Sequence, residues 1–238
     1  MREIQPVDML KRIKLFIKLQ LRKLNDFKNG NYKRFPKHPS SYTNFNFELS
    51  VEQEIKPSPT FESKIFNLAT ASAMISEYVF LPNQLFSFWK VVGDPDKSFK
   101  KGRTIQNGKI KEDVGGGICQ VSGVVYYLCL IAGLEVVERH NHSVDLYNDE
   151  TRFAPLGTDA TVVYGYKDLR FVNNLNTVIK LDITVIDNKI IGKLRSEIPI
   201  NKTELKYSIE DAGEIIKVKV FDEIGRMKNS SFYKKLVD

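Results

Sequence analysis

Cys119 stands in Val114-Gly115-Gly116-Gly117-Ile118-Cys119-Gln120-Val121-Ser122, where three consecutive glycines meet the start of a long apolar segment. A glycine turn feeding a helix leaves backbone N–H groups unpaired at the helix N-terminus. Their dipoles favour a thiolate, and the same amides can hold an oxyanion. Downstream lies Arg139-His140-Asn141-His142-Ser143. A thiol at a helix start, with a histidine elsewhere to act as base, is the minimal equipment for cysteine nucleophilic catalysis.

Other chemistries fit less well. The glycine run is not a Walker A loop, since no Gly-Lys-Ser/Thr follows, and its spacing is wrong for a dinucleotide fingerprint. The plain alternative for Cys119 is a buried small hydrophobe, and Cys129, inside an apolar run, reads as structural. An H-x-H pair on a strand points both imidazoles to one face, so His140 and His142 are both candidate bases. A metal site from His140, His142, Cys119 and either Asp145 or Asp159 needs ligands to converge, and no spacing here forces it. Nothing in the sequence calls for a metal or another cofactor. Arg139 points away from the histidine face of an ideal strand, and a bulge would turn it inward to grip a carboxylate.

The elements that must position these residues follow from hydrophobic periodicity. Residues 8–27 predict a helix with Leu10, Ile13, Ile17, Leu21 and Leu24 in one stripe and Lys11, Lys14, Lys18 and Arg22 mostly off it. Such a helix either packs its stripe on the body or lies on an anionic membrane surface. Prolines and Gly30 punctuate residues 28–60, with a partial strand at Tyr42–Leu49. A helix is expected from Glu62 to Tyr78, a hairpin over Lys100–Lys111 around Asn107-Gly108, and a buried helix over Ile118–Gly133. Strands are expected at Val136–Glu138, His140–Tyr147, Thr158–Tyr166, Arg170–Val172, Val178–Ile186, Ile190–Arg195, Glu204–Ile209 and Ile215–Phe221. Helices followed by a run of strands predict an α+β fold, N-terminal helices and then a mostly antiparallel sheet. The expected division is a basic amphipathic arm and irregular lead-in over 1–59, a main domain over 60–190 and a β-rich extension over 191–238.

Charge is concentrated at one end. Residues 1–40 hold eleven basic and three acidic residues, a net +8, whereas the remainder holds 25 basic and 26 acidic. The basic arm, and not a nucleic-acid-binding body, sets the overall charge of +7. Cys119 and Cys129 on one helix would lie roughly 15 Å apart, beyond disulfide reach. No apolar run reaches the ~18 residues of a membrane span, and Lys14, Lys18 and Arg22 interrupt any signal-peptide core. The expected location is cytoplasmic or peripheral to the membrane.

The motifs, taken in order, carry a resemblance. They are Phe86-Ser87-Phe88-Trp89 with Val92-Gly93, the Gly115–Ser122 segment, Ala132-Gly133-Leu134, Glu138-Arg139-His140-Asn141-His142-Ser143, Gly157-Thr158-Asp159-Ala160-Thr161-Val162, Asp168-Leu169-Arg170-Phe171 and Asn173-Asn174. Together they resemble the VanW family, named for an accessory protein of vancomycin-resistance gene clusters. The resemblance implies L,D-transpeptidation of peptidoglycan stem peptides, with Cys119 as nucleophile. It implies His142 or His140 as base, Asp159 as its orienting group, and the amides of Gly117, Ile118 and Cys119 as oxyanion hole. It also implies substrate contacts from Gly116, Gly117, Ile118, Gln120, Ser122, Trp89 and Arg139, the last on a substrate carboxylate. The other class of function is a non-catalytic accessory protein that binds wall precursors or a partner at the membrane surface.

Overall fold

The computed structural model describes residues 6–37, 44–106, 109–145 and 154–235. The fold is α+β, with mostly antiparallel pairing as the sequence pattern predicts. Helix α1 (Pro6–Lys28) leads into strand β1 (Phe47–Glu54) and helix α2 (Phe61–Ser76). Short strands β2 (Val79–Phe80) and β3 (Leu85–Ser87) precede short helices α3 (Phe88–Val92) and α4 (Pro95–Ser98). Strands β4 (Lys101–Gln106) and β5 (Lys109–Val114) form the expected hairpin; its Asn107-Gly108 turn lies outside the described residues. Helix α5 (Cys119–Ile131) then leads to β6 (Glu135–Glu138), β7 (Val144–Asp145) and β8 (Arg170–Val172). The chain ends in β9 (Ile179–Ile186), β10 (Lys189–Ser196), β11 (Lys206–Asp211), β12 (Ile215–Phe221) and β13 (Met227–Lys235).

The sheet β1-β10-β9-β2 carries α2 and α5 on one face. Alternation along β9 and β10 buries Ile179, Leu181, Ile183, Ile190 and Leu194 beneath the helices. Gly192 leaves room for α5, because a Cβ there would stand 2.4 Å from Val124. The stretch Val121–Ala132 is almost wholly buried, which is why it reads as apolar all round. A second sheet, β3-β8-β6, stacks Phe86 on Phe171 with ring centroids 4.7 Å apart. A third, β11-β12-β13-β7, closes over the loop that carries the histidines.

Two expected strands are largely irregular. Residues 139–143 run as irregular chain between β6 and β7, so the two-residue alternation that put His140 and His142 on one face does not apply. The expected strand at His140–Tyr147 survives only as β7, and its last two residues lie outside the described ones. The segment 158–166 is also irregular, with a single bridge from Val163 to Lys167. Its polar groups bond to α5 and to the histidine loop, which removes them from any ladder.

Helix α1 does not bury the stripe seen in its sequence. Leu15 and Leu19 lie against Gly165, Arg22 pairs with Glu138, and Asp26 pairs with Arg170. Leu10, Ile13, Ile17, Leu21 and Leu24 are all exposed. No helix among the described residues is long and apolar enough to cross a membrane.

Candidate active site

The glycine turn is built from two close approaches. Gly116 lies on the backbone of Gly102 in β4, and a Cβ there would be 2.2 Å from the Gly102 carbonyl carbon. Asn67 of α2 locks this contact by donating to the carbonyls of Gly116 at 3.0 Å and Lys100 at 2.9 Å. Gly117 has φ +95°, a conformation that side chains rarely adopt, and its α-carbon faces the Lys64 side chain. Burial, and then the charge of Arg103, lower the Lys64 pKa.

This turn delivers Cys119 as the first residue of α5. The Ile118 N–H donates to Gly115 O at 3.2 Å and the Gln120 N–H to Gly117 O at 3.0 Å. The amides of Gly117 and Cys119 have no backbone acceptor among the described residues. Of the three expected oxyanion donors, Ile118 is therefore engaged within the turn and the other two are open.

Cys119 is half-buried, with Thr161 Oγ1 3.5 Å and Val162 O 3.8 Å from its sulfur. His142, on the irregular loop after β6, couples to the same sulfur, and each group shifts the other's pKa. The other side of its ring is fixed by Asp159: His142 Nδ1 and Asp159 Oδ2 are 2.7 Å apart, and the His142 N–H donates to the same oxygen at 2.7 Å. With Nδ1 held by the carboxylate, Nε2 is the nitrogen left for the thiol.

Asp159 is itself anchored. Arg139 Nη2 donates to its Oδ1 at 2.8 Å, Arg139 Nε to its carbonyl at 2.7 Å, and Tyr233 of β13 donates its hydroxyl to Oδ1. The Arg139 guanidinium also bonds Ser231 and lies over the Tyr126 ring. It is thus committed to Asp159 and β13, which leaves it buried instead of presented to a substrate carboxylate. The β6–β8 pairing shifts register between Val136 and Glu138, and the chain leaves strand geometry at Arg139, whose side chain turns inward.

These contacts set the protonation states. Burial opposes charge on His142, but hydrogen bonds to Asp159 and Cys119 outweigh it and push its pKa up to about 10. Burial likewise opposes the Cys119 thiolate, yet His142, Val162 and Thr161 hold the thiol below its ordinary value. Asp159 is burdened by burial too, but His142 and Arg139 keep its carboxyl well below the usual carboxylate range. His142 is therefore favoured as an imidazolium near neutrality, and its charge, braced by the Asp159 carboxylate, favours the thiolate form of Cys119. Cys129 is fully buried, and burial drives its thiol well above the ordinary value.

The remaining expected residues fall elsewhere. His140 Nε2 lies 3.1 Å from Glu138, in a cluster with Arg22, and not at the sulfur. Ser122 is fully buried and donates to Ala160 O at 2.7 Å, tying α5 to the segment that carries Asp159 and Thr161. Gln120 donates to Glu54 O at 3.3 Å. Trp89 donates to Lys167 O at 2.8 Å and meets Tyr164 edge-on; no described contact links it to Cys119. Among the described residues no three His, Cys, Asp or Glu side chains are grouped to share a metal ion. Sequence reasoning missed Thr161, Tyr233 and Ser231. Only Thr161, inside a motif already singled out, carried a signal.

The chain is 33% identical over 135 residues to the vancomycin B-type resistance protein VanW of Enterococcus faecalis (strain ATCC 700802 / V583), a match covering 56% of this chain and 49% of that protein. It is 35% identical over 142 residues to the uncharacterized protein YoaR of Bacillus subtilis (strain 168), covering 59% of this chain and 45% of that one. The matched region thus spans about half the length of each relative. No solved structure matches the chain. A family described as VanW like protein matches residues 63–195; that span is more than half of the chain and holds Cys119, His142 and Asp159, and the chain belongs to the VanW family.

Proposed function

We propose that the chain is a cysteine-dependent acyl transferase of the L,D-transpeptidase type, acting on peptidoglycan stem peptides. The observation that carries this reading is the Cys119–His142–Asp159 line at a helix N-terminus whose Gly117 and Cys119 amides are open. The relative in Enterococcus faecalis is named a vancomycin resistance protein, which is consistent with work on the cell wall.

In this reading the Cys119 thiolate attacks the carbonyl carbon between the third and fourth residues of a stem peptide. The carbonyl electron pair moves to oxygen, where the amides of Gly117 and Cys119 receive it. The imidazolium of His142 gives its Nε2 proton to the leaving nitrogen, the C–N bond breaks, and D-Ala departs. A thioester on Cys119 remains. The amine of a second stem peptide then attacks it, His142 takes the amine proton, and the thiolate is released. Asp159 holds the imidazole in one tautomer throughout, and Arg139 and Tyr233 hold Asp159.

The test is chromatographic detection of released D-Ala and of cross-linked dimer when purified protein is incubated with stem tetrapeptide. Cys119→Ala should abolish both while leaving the melting temperature within about 2 °C. Tetrapeptide binding that is unchanged by Cys119→Ala, without D-Ala release from either protein, would favour a non-catalytic accessory role.

A further inference from the structure

The outer face of α1 presents an exposed apolar stripe, remote from the Cys119 chemistry and independent of it. At 100° per residue, Leu10, Ile13, Ile17, Leu21 and Leu24 fall within an arc of about 80°. Leu15, Leu19, Arg22 and Asp26 lie roughly opposite. The second set is the face that meets the body. Arg22 makes a two-pronged pair with Glu138 at 3.0 and 2.7 Å and also donates to Gly165 O and Tyr166 O. Asp26, 3% exposed, pairs with Arg170 at 2.7 Å. A helix merely lacking a place to pack would turn its stripe inward. Here one buried ion pair, Asp26–Arg170, and one half-buried pair, Arg22–Glu138, clamp the polar edge to the protein and present the apolar stripe to solvent.

The stripe is bordered by cations on both sides. Lys14 and Lys18 lie on one flank, and Arg12 and Lys23 on the other; all four are exposed. The helix holds two acids against its row of cations, Asp8 and Asp26, and Asp26 is already paired with Arg170. Beyond the stripe, the exposed rings of Phe27 and Tyr32 stack at 5.1 Å. An apolar band between two rows of cations matches the acyl–headgroup boundary of an anionic bilayer, where aliphatic side chains enter the hydrocarbon edge and lysines meet phosphate. An apolar partner protein would not require a cation row on each flank. We propose that α1 docks the protein peripherally on anionic membrane through this face.

Co-sedimentation of the full chain with phosphatidylcholine vesicles, with and without one-third phosphatidylglycerol, tests this. The protein should sediment with the anionic vesicles at low salt and be released as salt rises. Lys14→Gln with Lys23→Gln should lower the partition coefficient about 25-fold, from about fivefold per cation. Ile17→Glu with Leu21→Glu should abolish binding. Both residues are exposed, so an unchanged circular dichroism melt shows that the fold is intact. Equal binding to the neutral vesicles, or binding that survives the Ile17/Leu21 pair, overturns the proposal. So does failure of the intact protein to bind at low salt. A concentration-dependent dimer that the Ile17/Leu21 pair abolishes, without vesicle binding, would assign the face to a second copy and also overturn it.

Discussion

Replacing Asp159 with asparagine leaves shape nearly unchanged and breaks the logic of the site. The carboxylate accepts from four donors: the His142 N–H and Nδ1 on one oxygen, and Arg139 Nη2 and the Tyr233 hydroxyl on the other. An asparagine has one oxygen, so its NH2 must face one of these pairs. Facing His142, it meets a backbone N–H that cannot reverse and drives the ring to accept at Nδ1. The proton then sits on Nε2, and His142 cannot take one from the thiol. Facing Arg139, it meets a guanidinium that only donates. In both cases the Arg139 charge, on a side chain 7% exposed, loses its counterion. Leaving a buried charge unpaired costs about 3 kcal/mol. For a chain of this size that lowers the melting temperature by about 6–12 °C. Loss of positioned acid–base catalysis lowers the acylation rate about 100- to 10,000-fold. The assay is single-turnover acylation of Cys119 by stem tetrapeptide, followed by intact mass, beside a thermal melt. An Asp159→Asn protein that acylates at the parent rate and melts at the parent temperature would refute the account of the line.

Further outcomes follow from the same geometry. His142→Ala should reduce acylation to the level of Cys119→Ala, whereas His140→Ala should leave it within about threefold, because His140 faces Glu138. Iodoacetamide should label Cys119 well ahead of the buried Cys129, and His142→Ala should move the pH midpoint of Cys119 labelling upward. The fold favours charged His142, whose pKa rises from an ordinary 6.5 to about 10. Its stabilising contribution is therefore full below about pH 6.5 and lost as pH rises through about 10. The gap in denaturation midpoint between the parent and His142→Ala should narrow over that window. Gly116→Ala should destabilise by about 3 kcal/mol or more, read by chemical denaturation, because its Cβ meets backbone and not a flexible side chain.

The local signals in the sequence were strong where one residue type admits one conformation. The glycine run before an apolar stretch marked the turn and the start of α5, and the predicted helix over Ile118–Gly133 matches Cys119–Ile131. The helix predicted at Glu62–Tyr78 appears as Phe61–Ser76, and the alternating segments of β9 and β10 are where their pattern put them. What failed was alternation read from residues whose polar groups bond sideways. His140–Tyr147 looked like a strand because polar and apolar residues alternate, but the backbone of His142 bonds the Asp159 side chain. That deviation separates His140 from His142. The role of Arg139 was hidden for a related reason, since its partners Asp159, Ser231 and Tyr233 are distant in sequence. The stripe on α1 was legible, but which way it faces was not. The clamping pairs Arg22–Glu138 and Asp26–Arg170 link segments that no periodicity connects.

The most direct measurement is the intact mass of the purified protein after incubation with a stem tetrapeptide, with peptide mapping of any adduct. The account predicts an acyl adduct on Cys119 whose mass equals the tetrapeptide less D-Ala. That adduct should be absent from Cys119→Ala and slow to form in Asp159→Asn. A folded parent protein that carries no adduct on Cys119, while its thiol remains free to alkylate, would contradict the claim that Cys119, His142 and Asp159 form an acyl-transfer site.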